Sequence, residues 1–394
     1  MRRCVLCDDG DVAYYLDAND STKKENGDPA NLDGTDGQIM VEIPAHYRKF
    51  EIEGTKCRCL LSERKLSGFH FVPLTYRSAY EATLDRTVTS TPKLASVENT
   101  SEAFRGGVNS SGMSAWDGTY RSVLGKPVTS VSFANFRKYA RNRGIAGKNG
   151  AGWNCDLYEV QKTCFWLYAV EYANFNCQLG YNAKPTSEGY KQGGLGEGVT
   201  TLSDADWNTY NSVNPFVPCG HTNILGNRTG VVDYEMPASD GSVFNTVSVP
   251  SYRGLENPFG HIWSFTDGCK CNTQGNIEGG VSEFYVCSDP AKFQSNDYTD
   301  YEKIGDLPRE AGYIKTLMIG EHGENMPSAV GGGSSTYFCD YFFTYLRATT
   351  EQKAIILGGR ADYGERCGLL YSDINISISS GNTSVGSRLC FLPE

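Results

Sequence analysis

The sequence lacks the features of membrane-spanning, secreted and nucleic-acid-binding proteins. No apolar run approaches the ~18 residues needed to cross a bilayer. The opening stretch MRRCVLCDDGDVAYYL has only a four-residue apolar run before Asp8, too short for a secretory signal. Acidic residues outnumber basic ones, with 46 Asp and Glu against 36 Lys and Arg. The resulting negative charge disfavours nucleic acid and anionic membranes as partners. The sequence thus predicts no membrane insertion, no nucleic-acid partner and no signal peptide.

Histidine is also scarce, and its arrangement does not indicate a catalytic centre. The five histidines are scattered at His46, His70, His221, His261 and His322. None has the H-E-x-x-H spacing of a zinc hydrolase. A pair such as His261 with Asp267 occurs in many proteins that catalyse nothing. We therefore assign no catalytic residue and expect a protein that is not an enzyme.

Cysteine, in contrast, is plentiful, with 14 residues. Without a signal peptide this number does not indicate a disulfide framework, and mostly reduced, buried thiols are expected. Three close pairs offer zinc ligands as an alternative: Cys4 with Cys7, Cys57 with Cys59, and Cys269 with Cys271. Two of these pairs have a spacing of one residue, which is unusual for a zinc site, so no metal is predicted.

The 44 Gly, 24 Tyr and 18 Phe of the chain indicate a globular protein rich in strands and turns. A polar lead-in dense in Asp, Asn and Gly is followed by the alternating run QIMVEIPAHYRKFEIEG. This pattern predicts a small β-rich unit over residues 1–65, with a role in attachment or assembly. Residues 66–394 then form the second domain, with inserted loops.

Two helices are predicted in the second domain. In SVSFANFRKYARNRG, Ser132 is a suitable N-cap, and Phe133, Phe136 and Ala140 share one face. In CDLYEVQKTCFWLYAVEYANF, Asp156 is expected to cap a strongly apolar helix. Short strands near 244–249, 284–287 and 341–346, separated by long loops, follow these helices. Helices early and short strands late predict an α+β fold.

Three stretches resemble one protein family in its own order. SYRGLENPFGHIWSFTDG resembles the core segment of the formylglycine-generating-enzyme-like branch of the C-type lectin fold. KPVTSVSFANFRKYARNRG is similar to the entry into that branch's first helix, and VGSRLCF resembles its closing strand. The resemblance covers roughly residues 68–391 and implies a C-type lectin fold. Within it, Trp263 and Phe265 would point into the core, and Gly254 and Gly260 would permit tight turns.

Two alternatives within this fold concern cofactors. The oxidases of the branch carry two copper-binding cysteines, four residues apart, after a glycine-containing turn. Here Gly358 and Gly359 are followed only by Cys367. Calcium-dependent sugar binding needs a Glu-Pro-Asn type of motif, which is absent. We therefore expect no cofactor, with a structural calcium ion as the alternative at three clustered carboxylates, Asp297, Asp300 and Asp306.

The C-terminal segment resembles the variable region of proteins diversified by retroelements. ILGG, CGLLY and SSGNTSVGSRLCF reproduce the conserved frame of that region, and the lead-in is similar to that of tail proteins from gut bacteriophages and prophages. Adenine-directed variation of Asn codons does not produce Glu, Lys, Gln, Met or Trp. Between Arg360 and Val385 only Glu365 belongs to these types. The resemblance thus implies a variable segment at about 360–385.

This resemblance implies a receptor-binding protein that displays variable side chains on a rigid scaffold. It would act in a phage tail virion or at the bacterial cell surface, with a bacterial surface protein or glycan as partner and a homotrimer as one assembly. A formylglycine-generating-enzyme-like oxidase and a calcium-dependent sugar-binding lectin are the alternatives. The outward-facing ligand-binding residues are predicted to be Arg360, Asp362, Tyr363, Arg366, Tyr371, Asp373, Asn375 and Ser377.

Overall fold

A computed structural model of the chain describes residues 1–54, 56–106, 124–144, 152–177, 217–237, 240–294, 297–360 and 363–393. Within these ranges the backbone forms 24 strands and two α-helices. The strands of the first half are β1 (Arg2–Leu6), β2 (Val12–Tyr15), β3 (Gln38–Ile43), β4 (His46–Glu53), β5 (Lys56–Ser62), β6 (His70–Val72), β7 (Thr75–Ser78), β8 (Thr83–Asp85), β9 (Lys93–Ala95), β10 (Phe104–Arg105) and β11 (Trp153–Cys155).

The two helices flank β11, with α1 (Phe133–Arg141) before it and α2 (Tyr158–Tyr172) after it. The strands that follow are β12 (Gly230–Pro237), β13 (Val243–Tyr252), β14 (Leu255–Glu256), β15 (Trp263–Thr273), β16 (Ser282–Val286), β17 (Glu302–Asp306), β18 (Gly312–Ile319), β19 (Glu324–Val330), β20 (Tyr341–Phe343), β21 (Glu351–Leu357), β22 (Ser372–Ile376), β23 (Val385–Gly386) and β24 (Leu389–Phe391).

The fold is predominantly β, so the expected α+β class with a C-type lectin fold is wrong. Helices α1 and α2 have only nine and 15 residues. Some regions predicted to be loops instead form strands, including β12, which pairs with β13 in an antiparallel hairpin. Strand β13 itself extends the short strand predicted near 244–249. The sequence of β15, WSFTDGCKCNT, shows little apolar alternation, yet all but two of its 11 residues are buried. Its position between β16 and β21, and not local propensity, determines its conformation.

A six-stranded sheet joins both sides of the predicted domain boundary. Its strand order is β11-β24-β7-β3-β1-β2. Strand β3 lies before Lys65 and pairs with β7 after it, with Met40 opposite Ser78. Strands β4, β5 and β6 form a separate three-stranded sheet. Residues on the two sides of Lys65 therefore share a sheet and a hydrophobic core.

A nine-stranded sheet carries the C-terminal segment. Its order is β17-β16-β15-β21-β22-β20-β18-β19, and β23 pairs with β15 in parallel. Strand β22 lies between β21, to which it is antiparallel, and β20, to which it is parallel. Two more three-stranded sheets, β10-β8-β9 and β12-β13-β14, complete the described architecture.

The helices are largely where the sequence predicts them. Helix α1 begins after Ser132 and buries Phe133, Phe136 and Ala140, which confirms the predicted face. For α2 the predicted cap is wrong, because the N-cap residue is Leu157. Asp156 instead accepts hydrogen bonds from Arg77 of β7, with an Nη2 to Oδ2 distance of 2.7 Å. Both partners are buried, so this ion pair fixes the start of α2 against the six-stranded sheet.

The segment from Ser251 to Gly268 is a buried scaffold, as predicted. Trp263 and Phe265 are both buried, and Gly254 and Gly260 have positive φ angles of 87° and 85°. The described residues include no helix long and apolar enough to cross a membrane.

Candidate functional site

The C-terminal segment leaves the nine-stranded sheet at a pair of glycines that close a loop. Gly358 and Gly359 have φ angles of 101° and 89°, a region that residues with a Cβ rarely adopt. A Cβ at Gly359 would also overlap the Cys367 sulfur. The Gly358 N–H donates to the Tyr371 carbonyl at 2.9 Å, and the Gly368 N–H donates to the Gly358 carbonyl at 3.3 Å. These bonds fix the base of a loop whose described residues are Arg360 and 363–370.

A buried carboxylate attaches this loop to the interior. Asp340 accepts a hydrogen bond from the Leu370 N–H at 2.7 Å, and the thiols of Cys177 and Cys339 donate to it at 3.8 and 3.4 Å. Burial raises the pKa of Asp340 to about 7, because the ionised form loses its hydration. Gly368 lies against this carboxylate so closely that a Cβ there would overlap it.

Aromatic rings gather around the loop. Tyr371 lies at the centre, 4.5 Å from Trp263, 5.7 Å from Tyr363 and 5.9 Å from Tyr341 between ring centroids. Tyr313 extends the group at 5.1 Å from Tyr341. Trp263 and Tyr371 are buried, whereas Tyr313, Tyr341 and Tyr363 are half-buried and present part of their rings to solvent.

Charged side chains complete this surface. The exposed Arg366 lies 4.9 Å from the centroid of the Tyr341 ring, and Arg360 lies 4.4 Å from that of Tyr363. The Tyr313 hydroxyl donates to Glu365 at 3.0 Å. We define the aromatic patch as the surface formed by Tyr313, Tyr341, Tyr363, Glu365 and Arg366. The aromatic patch combines tyrosine rings, one arginine and one carboxylate. The base of its loop is fixed by the hydrogen bonds of Gly358 and Gly368.

The predicted outward orientation holds for some loop residues and fails for others. Tyr363 is half-buried and Arg366 is exposed, so both present surface to a ligand. Tyr371 is only 2% exposed and Arg360 8%, so the expectation that these two face outward is wrong. The paired glycines turn the chain so that Tyr371 returns beneath the loop and packs on Trp263. Asp362 lies outside the described residues.

Strand β22 follows the predicted alternation. Ser372 and Ile374 are buried, whereas Asp373 and Asn375 are half-buried on the other face, and Ser377 is half-buried just beyond the strand. The Asn375 N–H donates to Asp373 Oδ1 at 2.6 Å. Burial raises the pKa of Asp373 to about 7.

Three residues of the aromatic patch, Tyr313, Tyr341 and Glu365, were not predicted to be binding residues. Tyr313 comes from β18 and Tyr341 from β20, which are adjacent strands of the nine-stranded sheet. Both are separated from Tyr363 by more than 20 residues of sequence. The only available signal was the abundance of tyrosine in the chain, which does not identify particular residues.

The predicted metal and catalytic alternatives find other partners in the structure. His261 pairs with Glu81 at 2.5 Å, and Asp267 accepts from Arg137 Nε at 2.5 Å, so these two candidates do not meet. All cysteines except Cys7, Cys57 and Cys59 are buried, which confirms the expected burial of most thiols. The described residues contain no group of three or more His, Cys, Asp or Glu side chains arranged to hold a metal ion.

The acidic residues proposed for calcium are also engaged. Asp306 pairs with Lys303 at 3.0 Å, Asp300 lies 3.9 Å from Lys292, and Asp297 accepts from Thr299 at 2.6 Å. Each of the three carboxylates therefore already interacts with a neighbouring lysine or hydroxyl group.

Comparison of the chain with known protein-family models and with curated proteins finds no match.

Proposed function

We propose that this protein binds a receptor through the aromatic patch. The observation that carries the proposal is a group of partly exposed tyrosines beside Arg366, held on a loop with a fixed base. Tyrosine supplies contact area at little conformational cost, and arginine supplies charge-assisted hydrogen bonds, so these residue types dominate binding hot spots. A rigid base keeps the ordering cost of binding low.

The same segment supports a variable binding surface. Its resemblance to retroelement-diversified proteins suggests that residues 360–385 differ between copies of the gene. In this proposal the chain is a tail receptor-binding protein of a phage virion or is displayed at the bacterial cell surface. Its partner is a bacterial surface protein or glycan, and a homotrimer would present several patches at once.

The burial of each side chain indicates which positions could vary without loss of the fold. Gly368, Leu370 and Tyr371 are buried, and a change there would disturb packing. Tyr363, Arg366, Asn375 and Ser377 are at least partly exposed and can change without loss of the fold. Variation should therefore concentrate at the second set.

Deep sequencing of the gene in its native population tests this proposal directly. Substitutions should cluster at codons 363, 366, 375 and 377 and begin at adenines of a nearby near-copy. Codons 368, 370 and 371 serve as internal controls and should remain nearly constant. An invariant segment would refute diversification.

Receptor binding needs a separate assay. Fluorescently labelled protein should bind a subset of strains in a panel of bacterial cells, and the double substitution of Tyr363→Ala with Arg366→Ala should abolish that binding. Arg58→Ala, an exposed arginine of β5, is the matched control and should bind as wild type. If the double variant bound cells as well as wild type, the aromatic patch would be excluded as the receptor-binding site.

A further inference from the structure

A cavity lies away from the aromatic patch, between the β4-β5-β6 sheet and the start of α2. Its volume is about 360 Å³. Its walls are mainly apolar and include Phe50, Phe71, Val72, Val160 and Phe293. Cavities of this size, at the lower end of the range for small-molecule sites, accept ligands of about ten non-hydrogen atoms.

One cation in the wall of this cavity is incompletely paired. Arg48 is only 6% exposed, and its Nη1 atom has no hydrogen-bond partner among the described residues. Its Nη2 atom makes one long contact, 3.4 Å from the His322 carbonyl. In the described part of the chain no carboxylate lies within ion-pairing distance of Arg48. A buried guanidinium in this state lacks the acceptor that normally offsets its lost hydration.

Four of the five carboxylates that share the cavity wall are paired with basic side chains. Glu324 accepts from Lys162 at 2.9 Å and from the Tyr158 hydroxyl, and Glu159 pairs with the same lysine at 2.7 Å. Asp267 is held by Arg137 through two hydrogen bonds. Glu321 pairs with His70 at 3.0 Å. Glu302 is exposed at the end of β17. The buried acids are thus committed elsewhere, and Arg48 is left without one.

The start of α2 lines the same cavity. Leu157, the N-cap residue, provides no side-chain cap, and Leu157, Tyr158, Glu159 and Val160 all lie in the wall. The N-terminal end of a helix carries a partial positive charge and favours an anion. Because Glu159 already places a carboxylate in the first turn, the helix start adds only a secondary preference, and the unpaired Nη1 of Arg48 is the feature that favours an acceptor group in this cavity.

We propose that this cavity binds a small monocarboxylate with an apolar body. Its carboxylate would accept hydrogen bonds from Arg48, and its hydrocarbon part would pack on Phe50, Phe71 and Val160. The site is distinct from the aromatic patch and does not depend on the receptor-binding function. A fatty acid of medium chain length has the required size and chemistry.

Octanoate is a suitable probe, with isothermal titration calorimetry of the full chain as the measurement. We expect saturable binding with one site per chain and at least tenfold weaker binding of octan-1-ol, which has the same chain but no charge. Equal affinity for the alcohol would show an apolar cavity without carboxylate recognition and would overturn the proposal, as would the absence of octanoate binding.

Variants locate the site. Arg48→Met keeps an apolar side chain of similar length and should weaken octanoate binding at least tenfold. Phe71→Ala, at a residue 60% exposed and therefore tolerant of change, should weaken it several-fold without loss of the fold. Arg58→Met, on the neighbouring strand β5 and outside the cavity, is the matched control and should bind octanoate normally.

Two further measurements distinguish carboxylate binding in the cavity from receptor binding at the aromatic patch. The Tyr363→Ala and Arg366→Ala double variant should bind octanoate as wild type, because the aromatic patch does not line the cavity. Undiminished octanoate binding by folded Arg48→Met would place the ligand elsewhere and refute the assignment.

Discussion

The C-terminal segment contains two sets of residues that obey opposite physical constraints. Gly368, Leu370 and Tyr371 are buried, whereas Tyr363 is half-buried and Arg366 is exposed on the same loop. Only a few residues separate the two sets. Sequence can vary at the second set because hydrogen bonds and packing at the first set determine the backbone.

The largest expected effect comes from adding one methyl group to the buried set. In Gly368→Ala the new Cβ would overlap the Asp340 carboxylate, which itself holds Leu370. We expect a loss of about 4 kcal/mol of unfolding free energy or failure to fold. Urea unfolding measures it. Gly333→Ala is the control, since a Cβ there meets only one atom, at 4.0 Å, and little change is expected. Wild-type stability of Gly368→Ala would contradict the tight packing.

Truncation of Tyr371 should cost nearly as much. Tyr371→Ala removes a 2% exposed ring that packs on Trp263, and loss of such a side chain costs about 3 to 4 kcal/mol. Thermal unfolding followed by circular dichroism provides the comparison with Tyr363→Ala, for which a change below about 1 kcal/mol is expected. Similar melting temperatures for the two variants would mean that Tyr371 does not belong to the core.

The carboxylate beneath the loop makes stability depend on pH. The folded state raises the pKa of Asp340 to about 7, so the fold favours the protonated form. The contribution of Asp340 to stability is therefore most favourable at acid pH and falls as pH rises from the unfolded-state pKa near 4 through about 7. We expect this one group to cost roughly 3 kcal/mol between about pH 5 and pH 7.5.

Asp340→Asn isolates this contribution, because asparagine can accept the Leu370 hydrogen bond without titrating. Urea unfolding at both pH values should show a smaller loss in the variant than in the wild type. Asp373, whose pKa is also raised to about 7, would contribute to the pH dependence in the same direction. Identical pH dependence in wild type and variant would show that Asp340 does not titrate in this range.

The smallest stability effect is expected at the exposed set. Tyr363→Ala together with Arg366→Ala should lower the unfolding free energy by less than about 1 kcal/mol, because neither residue is fully buried. Binding to bacterial cells should nevertheless be lost. Parallel measurement of melting and cell binding separates the two effects. A large drop in melting temperature would show that the aromatic patch serves the fold.

Local patterns predicted both helices and several strands, including those near 244–249, 284–287 and 341–346, but missed many of the other strands. The face of α1 was predictable because Phe133, Phe136 and Ala140 repeat at helical spacing. The full length of strand β15 was not predictable, because its sequence does not alternate. Cys269 and Lys270 are buried only because neighbouring strands cover them. The overall class failed for the same reason, since many strands form only through pairing with distant segments.

For the candidate site, the turn at Gly358 and Gly359 was predictable from the sequence, but the orientation of the side chains that follow it was not. Alternation could not show that Gly358 and Gly359 turn Tyr371 inward, since this depends on positive φ angles and on the ring of Trp263. The contributions of Tyr313 and Tyr341 required the strand order of the nine-stranded sheet.

Strand β24 follows the proposed variable segment in sequence and forms part of the six-stranded sheet. It pairs with both β7 and β11, and Phe391 packs 4.8 Å from Trp153. A frameshift or stop codon between positions 360 and 385 would therefore also eliminate β24. The six-stranded sheet would then lose the strand that joins β11 to β7, leaving open edges. If the segment varies as proposed, truncated products would therefore lack a central strand of the six-stranded sheet, and selection for a folded protein would remove them.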